Sequence, residues 1–229
     1  MKQNESLAET RAVFVLFAQK PNKTEQSPEY GFFCGGFYGR INENSKNEEG
    51  GRSMTNAPKT VLAIHDLPGF GRAALSVIVP VLSTLGVQTV ALPTAVLSTH
   101  TGGLGTPTKL ANPSYGPAAL EHYHRLGVKF DCIYSGYLAD AAQAKLVEQA
   151  FELWPRAFKV VDPVLGDGGR LYSGLGADMV PAMYSLCSKA DLIVPNVTEA
   201  ALLLGDPLPG VGSAEQAAAQ AARLTRVAP

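Results

Sequence analysis

Cysteine is scarce in this chain: Cys34, Cys132 and Cys187 are odd in number, far apart and in no C-x-x-C pair. That spacing excludes a disulfide framework and a cysteine-built zinc site, and it fits a reduced, cytoplasmic setting. Net charge is nearly absent too, with 19 Lys and Arg against 20 Asp and Glu. The basic residues are also scattered, so no field gathers nucleic acid or an anionic membrane, and both partners are set aside. Long apolar runs are missing. Residues 12–18 form the longest one near the start, too short to span a bilayer, and Glu5 and Glu9 spoil the basic flank of a signal peptide. The P-loop pattern does not occur, and Ser98 and Ser135 lack the G-x-S-x-G setting of a serine hydrolase.

What is present is enough apolar residue, 46% of 229, to bury one substantial core. The first 58 residues stand apart: they hold five of the nine Phe but no Asp or His, and they show no sustained period. Gly31-Phe32-Phe33-Cys34-Gly35-Gly36-Phe37-Tyr38-Gly39 reads either as an aromatic-glycine binding loop or as part of a loosely attached extension, and the lack of flanking strand or helix pattern favours the extension. Glu48-Glu49-Gly50-Gly51-Arg52, just ahead of Met54, is encoded largely by purine-rich codons of the kind that form a bacterial ribosome-binding site. Translation is therefore expected to start at Met54, leaving residues 1–53 as a poorly ordered or non-native extension. An intact mass from the native gene that includes them would refute this.

From Thr60 the pattern alternates between strand and helix. Residues 60–65 read as a strand, 66–71 as a turn cluster, and 72–85 as a helix stopped by Gly86. Residues 88–93 are a second strand, which leads into Thr94-Ala95-Val96-Leu97-Ser98-Thr99-His100-Thr101-Gly102-Gly103, an apolar run that delivers hydroxyls and one imidazole to a strand end. Residues 106–116 read as a loop of lid length. Helices over 117–126, 140–154, 177–188, 198–204 and 213–224 alternate with strands at 131–134, 159–161 and 191–194. Such recurrence marks βαβ units, so the fold class is α/β with a mostly parallel sheet covered on both faces. Ligands of such sheets sit beyond the carboxyl ends of the strands. Here those ends carry His65-Asp66, Ser98 through Thr101, Ser135-Gly136-Tyr137, Asp162-Pro163 and Pro195-Asn196.

Each constellation also has a plainer reading. Gly69-x-Gly71 suits an anion at a helix N-terminus or an ordinary tight turn, and Ala74 stands where the dinucleotide fingerprint needs its third glycine. Asp162-Pro163-Val164-Leu165-Gly166-Asp167-Gly168-Gly169 offers two carboxylates to a nucleotide-borne Mg2+ or forms an Asx-turn. Asn196-Val197-Thr198-Glu199 has capping-box spacing, which needs no ligand. His100 has no carboxylate or cysteine at ligand spacing, so a hydrogen-bonding role in a small-molecule pocket suits it better than metal. His122 and His124 are expected to face solvent.

Taken in order, His65-Asp66-Leu67-Pro68-Gly69-Phe70-Gly71-Arg72, Leu97-Ser98-Thr99-His100-Thr101-Gly102-Gly103, Tyr134-Ser135-Gly136-Tyr137-Leu138, Val161-Asp162-Pro163-Val164-Leu165-Gly166-Asp167 and Val194-Pro195-Asn196-Val197-Thr198-Glu199-Ala200 resemble segments of the pyridoxal (pyridoxamine) kinases of the ribokinase-like superfamily. The likeness is to the bacterial branch that opens I-H-D-L-x-G-F-G. It implies a ribokinase-like three-layer sandwich with a mostly parallel central sheet, incomplete at the C-terminal end, residues 54–229 being the N-terminal and central part of a kinase domain. It implies ATP-dependent phosphorylation of the 5′-hydroxymethyl group of pyridoxal, pyridoxamine or pyridoxine, with ATP and Mg2+ as cofactors and a B6 vitamer as partner; homodimerisation stays open. By the same resemblance Asp66, His100, Thr101 and Tyr137 bind the vitamer. Asp162, Asn196, Glu199 and Tyr172 lie on the ATP side, and Asp167 and Glu199 serve the metal, which raises the ligand reading of Glu199 above the capping one.

Members of that family carry, after the matched region, a G-x-G-D segment that forms an anion hole and supplies the catalytic base. After Glu199 this chain has only Gly205, Gly210 and Gly212, and Asp206 is followed by Pro207. No catalytic residue is assigned, and pyridoxal with Mg-ATP is expected to give no phosphorylated product with this chain alone. Hydroxymethylpyrimidine kinases share the D-P-V and P-N-x-x-E segments, whereas Ser98-Thr99-His100-Thr101-Gly102 favours the B6 kinases. A non-catalytic pyridoxal-binding fragment is the third reading.

Overall fold

The structure, a computed structural model, describes residues 58–101, 104–172, 174–176, 178–208, 214–225 and 227. The extension of residues 1–53, its Gly31 to Gly39 segment and Met54 lie outside the described residues. The elements in chain order are β1 (Thr60–Phe70), α1 (Leu75–Thr84), β2 (Gln88–Thr99), β3 (Lys109–Leu110), α2 (Tyr115–Arg125), β4 (Cys132–Ser135), α3 (Ala141–Leu153), β5 (Phe158–Val161), β6 (Gly166–Asp167), β7 (Arg170–Leu171), α4 (Met179–Cys187), β8 (Leu192–Ile193), α5 (Val197–Leu204) and α6 (Ala214–Leu224). Six strands form one sheet in the order β3-β2-β1-β4-β5-β8, all parallel except β3 against β2, while β6 and β7 make a separate antiparallel pair.

Alternation along the strands sends side chains to two cores. Leu62, Ile64, Ile133 and Val161 face α2, α3, α4 and α5 through Leu120, Val147, Met183 and Leu203. Val61, Ala63, Tyr134 and Val160 face Leu75, Ile78 and Leu82 of α1. Helices on both faces of a parallel sheet make three layers. Both faces of the central strands are buried, which is why these strands read as runs of apolar residues.

A repeated polar device sets the register at the amino ends of the strands. Asp131, just before β4, accepts from the Thr60 N–H at 2.9 Å and from Lys59 Nζ at 2.6 Å. Asp191, just before β8, accepts from the Lys159 N–H at 2.8 Å. Lys59 beside Asp131 holds that carboxyl below its ordinary range, against the opposing effect of burial.

Four expectations change. β1 does not stop at His65: the 66–71 turn cluster is strand as far as Phe70. β2 likewise runs on through Pro93 to Thr99. Between the His65–Pro93 and Leu67–Val96 pairs, Thr94 and Ala95 stand opposite the single Asp66, a bulge that absorbs the irregularity without ending either strand. The 106–116 loop is partly strand, since Lys109 and Leu110 pair back on Leu97 and Val96. The glycine-rich stretch after Asp162 folds as the β6–β7 hairpin, too short and too poor in apolar residues to carry a strand signature. As expected, His122 and His124 are exposed.

Candidate functional site

Midway along β1, just before its bulge, His65 is buried and meets Tyr134 edge-on, ring centroids 4.4 Å apart. Burial drives its pKa down to about 3, against a smaller upward effect of its bond to the Tyr134 backbone, so the ring is neutral at ordinary pH. Gly136 must be glycine because a Cβ there would run into this imidazole. Asp66, at the bulge, is buried as well. Its charge acts on Tyr137, half-buried after β4: burial first, then Asp66, then Asp140 push the phenol above its usual range. The Tyr137 backbone is fixed from β2, where Thr94 Oγ1 donates to the Tyr137 carbonyl at 3.3 Å. Gln143 in turn ties this turn together, its Nε2 donating to the Thr94 carbonyl at 3.0 Å and its Oε1 accepting from the Ala139 N–H at 2.7 Å. Thr94 and Gln143 escaped the sequence reading. The available signal was the spacing of Asp140 and Gln143, which is that of an N-cap and its N3 residue, and Asp140 Oδ1 does accept from the Gln143 N–H.

At the end of β2, the His100 N–H donates to the Phe70 carbonyl at 3.1 Å, and its ring lies over Gly71, whose φ of 97° no ordinary side chain favours. His100 is thereby held across the end of β1. Thr101 is exposed beside it. Gly102 and Gly103 lie outside the described residues. Ser98 anchors the returning segment, its hydroxyl accepting from the Thr108 N–H at 2.9 Å.

The third group forms where β5 and β8 end. Asn196 caps α5, accepting from the Glu199 N–H at 2.9 Å, and Glu199 Oε2 accepts from the Asn196 N–H at 2.9 Å, so the capping box is fully made. The same first turn grips the glycine-rich loop: Glu199 Oε1 accepts from Leu165 N–H at 3.2 Å, Asn196 Nδ2 donates to the Gly166 carbonyl at 2.8 Å, and Thr198 Oγ1 accepts from Gly169 N–H at 2.9 Å. Glu199 is buried, and burial with the nearby Asp162 carboxylate raises its pKa to about 8, overcoming backbone N–H bonds from Asn196, Leu165 and Gly166 that work the other way. Burial also lifts the Cys187 thiol beneath this group to about 12, with Glu199 and Asp162 adding to it. The Asp162 N–H donates to the Ser135 carbonyl at 2.9 Å, which joins the ends of β5 and β4.

Two clusters thus stand toward the same end of the sheet, Asp66 with Tyr137 and Asp162 with Asn196 and Glu199, while His100 lies further along, past β1, over Gly71. Asp167, on the hairpin that this second cluster grips, and Tyr172, just past it, are exposed; Asp167 Oδ1 accepts from the Gly168 N–H at 2.7 Å, and the Tyr172 N–H donates to the Leu165 carbonyl at 3.0 Å. Among the described residues no group of three or more His, Cys, Asp or Glu side chains converges as a metal cage. Both Glu199 oxygens are already engaged by backbone donors, so this donor set fits a water-clad Mg2+ carried on phosphates and reached from Asp162 and the exposed Asp167, not one caged by protein.

A mostly parallel sheet between helices on both faces makes a three-layer α/β sandwich, and its likeness to solved kinases places it in the ribokinase-like class. Within that class the chain belongs to the phosphomethylpyrimidine kinase family, whose model matches residues 80–228. A Schizosaccharomyces pombe protein assigned as a pyridoxal kinase is 30% identical over 158 residues, covering 66% of this chain and 50% of that one. A Bacteroides thetaiotaomicron protein described as a phosphomethylpyrimidine kinase and solved with pyridoxal is 39% identical with a TM-score of 0.71, covering 76% of this chain and 61% of that one. Pyridoxal kinase from Lactobacillus plantarum is 39% identical with a TM-score of 0.65, covering 72% of this chain and 60% of that one. The chain spans about half the length of the curated relatives it matches. No helix among the described residues is long and apolar enough to cross a membrane.

Proposed function

We propose that this chain carries the vitamer pocket and the phosphate-side loop of a cytoplasmic kinase that transfers the γ-phosphoryl group of ATP to the 5′-hydroxymethyl group of a B6 vitamer. The observation that carries the reading is that Asp66 at the β1 bulge and Tyr137 just past β4 are brought together on adjacent strands, with Thr94, opposite Asp66 in the bulge, donating its hydroxyl to the Tyr137 carbonyl at 3.3 Å. Support comes from the similar Bacteroides thetaiotaomicron structure, which holds pyridoxal. In this reading Asp66 and Tyr137 address the polar substituents of the pyridine ring, and His100 and Thr101 close the pocket from β2. The vitamer hydroxyl oxygen forms the new bond to the γ-phosphorus, the bond from that phosphorus to ADP breaks, and the hydroxyl proton passes to solvent, no base being assigned among the described residues. Such transfer depends mainly on alignment and charge neutralisation. Mg2+, when bound on the nucleotide, supplies the neutralising charge. Asn196 and Glu199 hold the 165–169 loop in place, while Asp162, Asp167 and Tyr172 border the phosphates.

The test is calorimetric binding of pyridoxal to the full chain, with Tyr137→Phe and Asp66→Asn each expected to weaken it about tenfold, the loss of one good polar contact. Hydroxymethylpyrimidine is the competing ligand, since the matching family is named for phosphomethylpyrimidine. Binding of hydroxymethylpyrimidine without binding of pyridoxal would replace this reading with that one.

A further inference from the structure

β2 and β4 are not neighbours in the sheet, since each pairs with β1, which lies between them. The β1–β4 ladder also stops early, at the Ile64–Ser135 pair and the Gly136 N–H to the Ile64 carbonyl, so the ladder itself does not fix Tyr137 relative to Asp66. Side chains make that link instead. From β2, Thr94 stands in the bulge opposite Asp66 and donates its hydroxyl to the Tyr137 carbonyl at 3.3 Å. From α3, the Gln143 carboxamide reaches both sides, Nε2 donating to the Thr94 carbonyl at 3.0 Å and Oε1 accepting from the Ala139 N–H at 2.7 Å. We propose that Gln143 is a positioning residue for the vitamer pocket: by bridging β2 to the turn after β4 across β1, it sets Asp66 and Tyr137 at the separation on which vitamer affinity depends. This deepens the vitamer-pocket reading and rests on it.

The chemistry of the bridge asks for glutamine. Its two partners differ in kind, a carbonyl and an N–H, and a carboxamide offers a donor to one and an acceptor to the other, which also fixes which way the amide faces. The backbone behind it is pinned, since the Gln143 N–H donates to Oδ1 of Asp140, the N-cap of α3, at 2.9 Å. Val147, Ala150 and Phe151, at i+4, i+7 and i+8 from Gln143, are buried, so the helix face that delivers the carboxamide is the one packed on the core. A side chain projected from a packed helix holds a site more tightly than one projected from a loop. The phenol of Tyr137 carries the result: burial first, then Asp66, then Asp140 push it above its usual range, and all three depend on where the turn after β4 is held.

The experiment compares the full chain with Gln143→Met, which keeps the length and helix preference of the side chain, and with Thr94→Val. Calorimetric affinity for pyridoxal is expected to fall about tenfold for each, the loss of one tie in the bridge. The double variant should also fall about tenfold, not the roughly hundredfold of independent losses, because both residues act through one bridge. Gln143→Glu keeps an acceptor for Ala139 but has no donor for the Thr94 carbonyl, and its affinity should fall as well. Val147→Ala, one turn further along α3, is the control for a merely structural role: it should lower the melting temperature and leave pyridoxal affinity within about twofold. In the ligand-free chain, with ring-labelled tyrosine followed by NMR and the Tyr137 signal assigned from Tyr137→Phe, the phenol should titrate at lower pH in Gln143→Met than in the native sequence. An unmoved Tyr137 titration, additive losses in the double variant, or an equal affinity loss in Val147→Ala would each overturn the proposal. A native chain that binds no pyridoxal overturns the vitamer reading instead, and the Tyr137 titration, which needs no ligand, still decides whether Gln143 sets the pair.

Discussion

His65 and Glu199 are both buried at the ligand end of the sheet, and they bias stability in opposite directions. The folded state keeps His65 near pKa 3 against an ordinary 6.5, so the unfolded chain binds more protons in that interval. Its contribution is present above pH 6.5 and is lost as pH falls toward 3, by up to about 1.4 kcal/mol per pH unit. Glu199 is raised from 4.5 to about 8, so the folded chain binds more protons there, and its contribution is present below pH 4.5 and lost as pH rises toward 8. The two slopes oppose each other between 4.5 and 6.5. Urea denaturation across that window should give a nearly level stability for the native sequence, a decline with rising pH for His65→Gln, and a rise with pH for Glu199→Gln. Ala74 is strained, with φ 47° and ψ −133° at the N-cap of α1. Ala74→Gly is expected to raise stability by about 1 kcal/mol, read as a shift in the urea midpoint. At this scale the sequence shows which polar residues gather at strand ends, because strand termini and their polar neighbours are local features. It does not show that Asp66 is set at a bulge or that Glu199 is enclosed, since both depend on what packs over them.

At the scale of elements, α5 and the β6–β7 hairpin form one unit, joined through Asn196, Thr198 and Glu199. Asn196→Ala removes a helix cap and the tie to the Gly166 carbonyl together, and should cost about 1–2 kcal/mol. Hydrogen exchange should show the hairpin amides loosening first. Helix ends were legible wherever a glycine follows them, as at Gly86, Gly127 and Gly205, each with positive φ. The extensions of β1 and β2 were not legible, because Pro68, Gly69 and Pro93 carry breaker chemistry that the edge-like end of the sheet tolerates. The capping box was visible in the spacing of Asn196 and Glu199, but its second use as a grip on a loop some thirty residues earlier in the chain was not.

At the scale of the molecule, the two faces of the sheet are unequally covered. One face carries α2 through α5, while the other is packed by α1. Val147→Ala, under the thicker layer and fully buried, should therefore cost about 1–2 kcal/mol, a loss set by the deleted methyl groups and the space they leave, measured as a fall in the denaturation midpoint. The α/β class and the direction of the ligand end could be read from the alternation of strands and helices, because βαβ chirality leaves few arrangements. The order β3-β2-β1-β4-β5-β8 could not, since it rests on long-range pairing.

Asp131 and Asp191 fasten the amino ends of the strands, the end opposite to Asp66, Tyr137, Asp162 and Glu199. Holding the sheet from below frees the loops above it from any duty in keeping the strands aligned. Residues that follow the strands can then be exchanged in such a scaffold without loosening the sheet, because the two aspartates hold it from the other end.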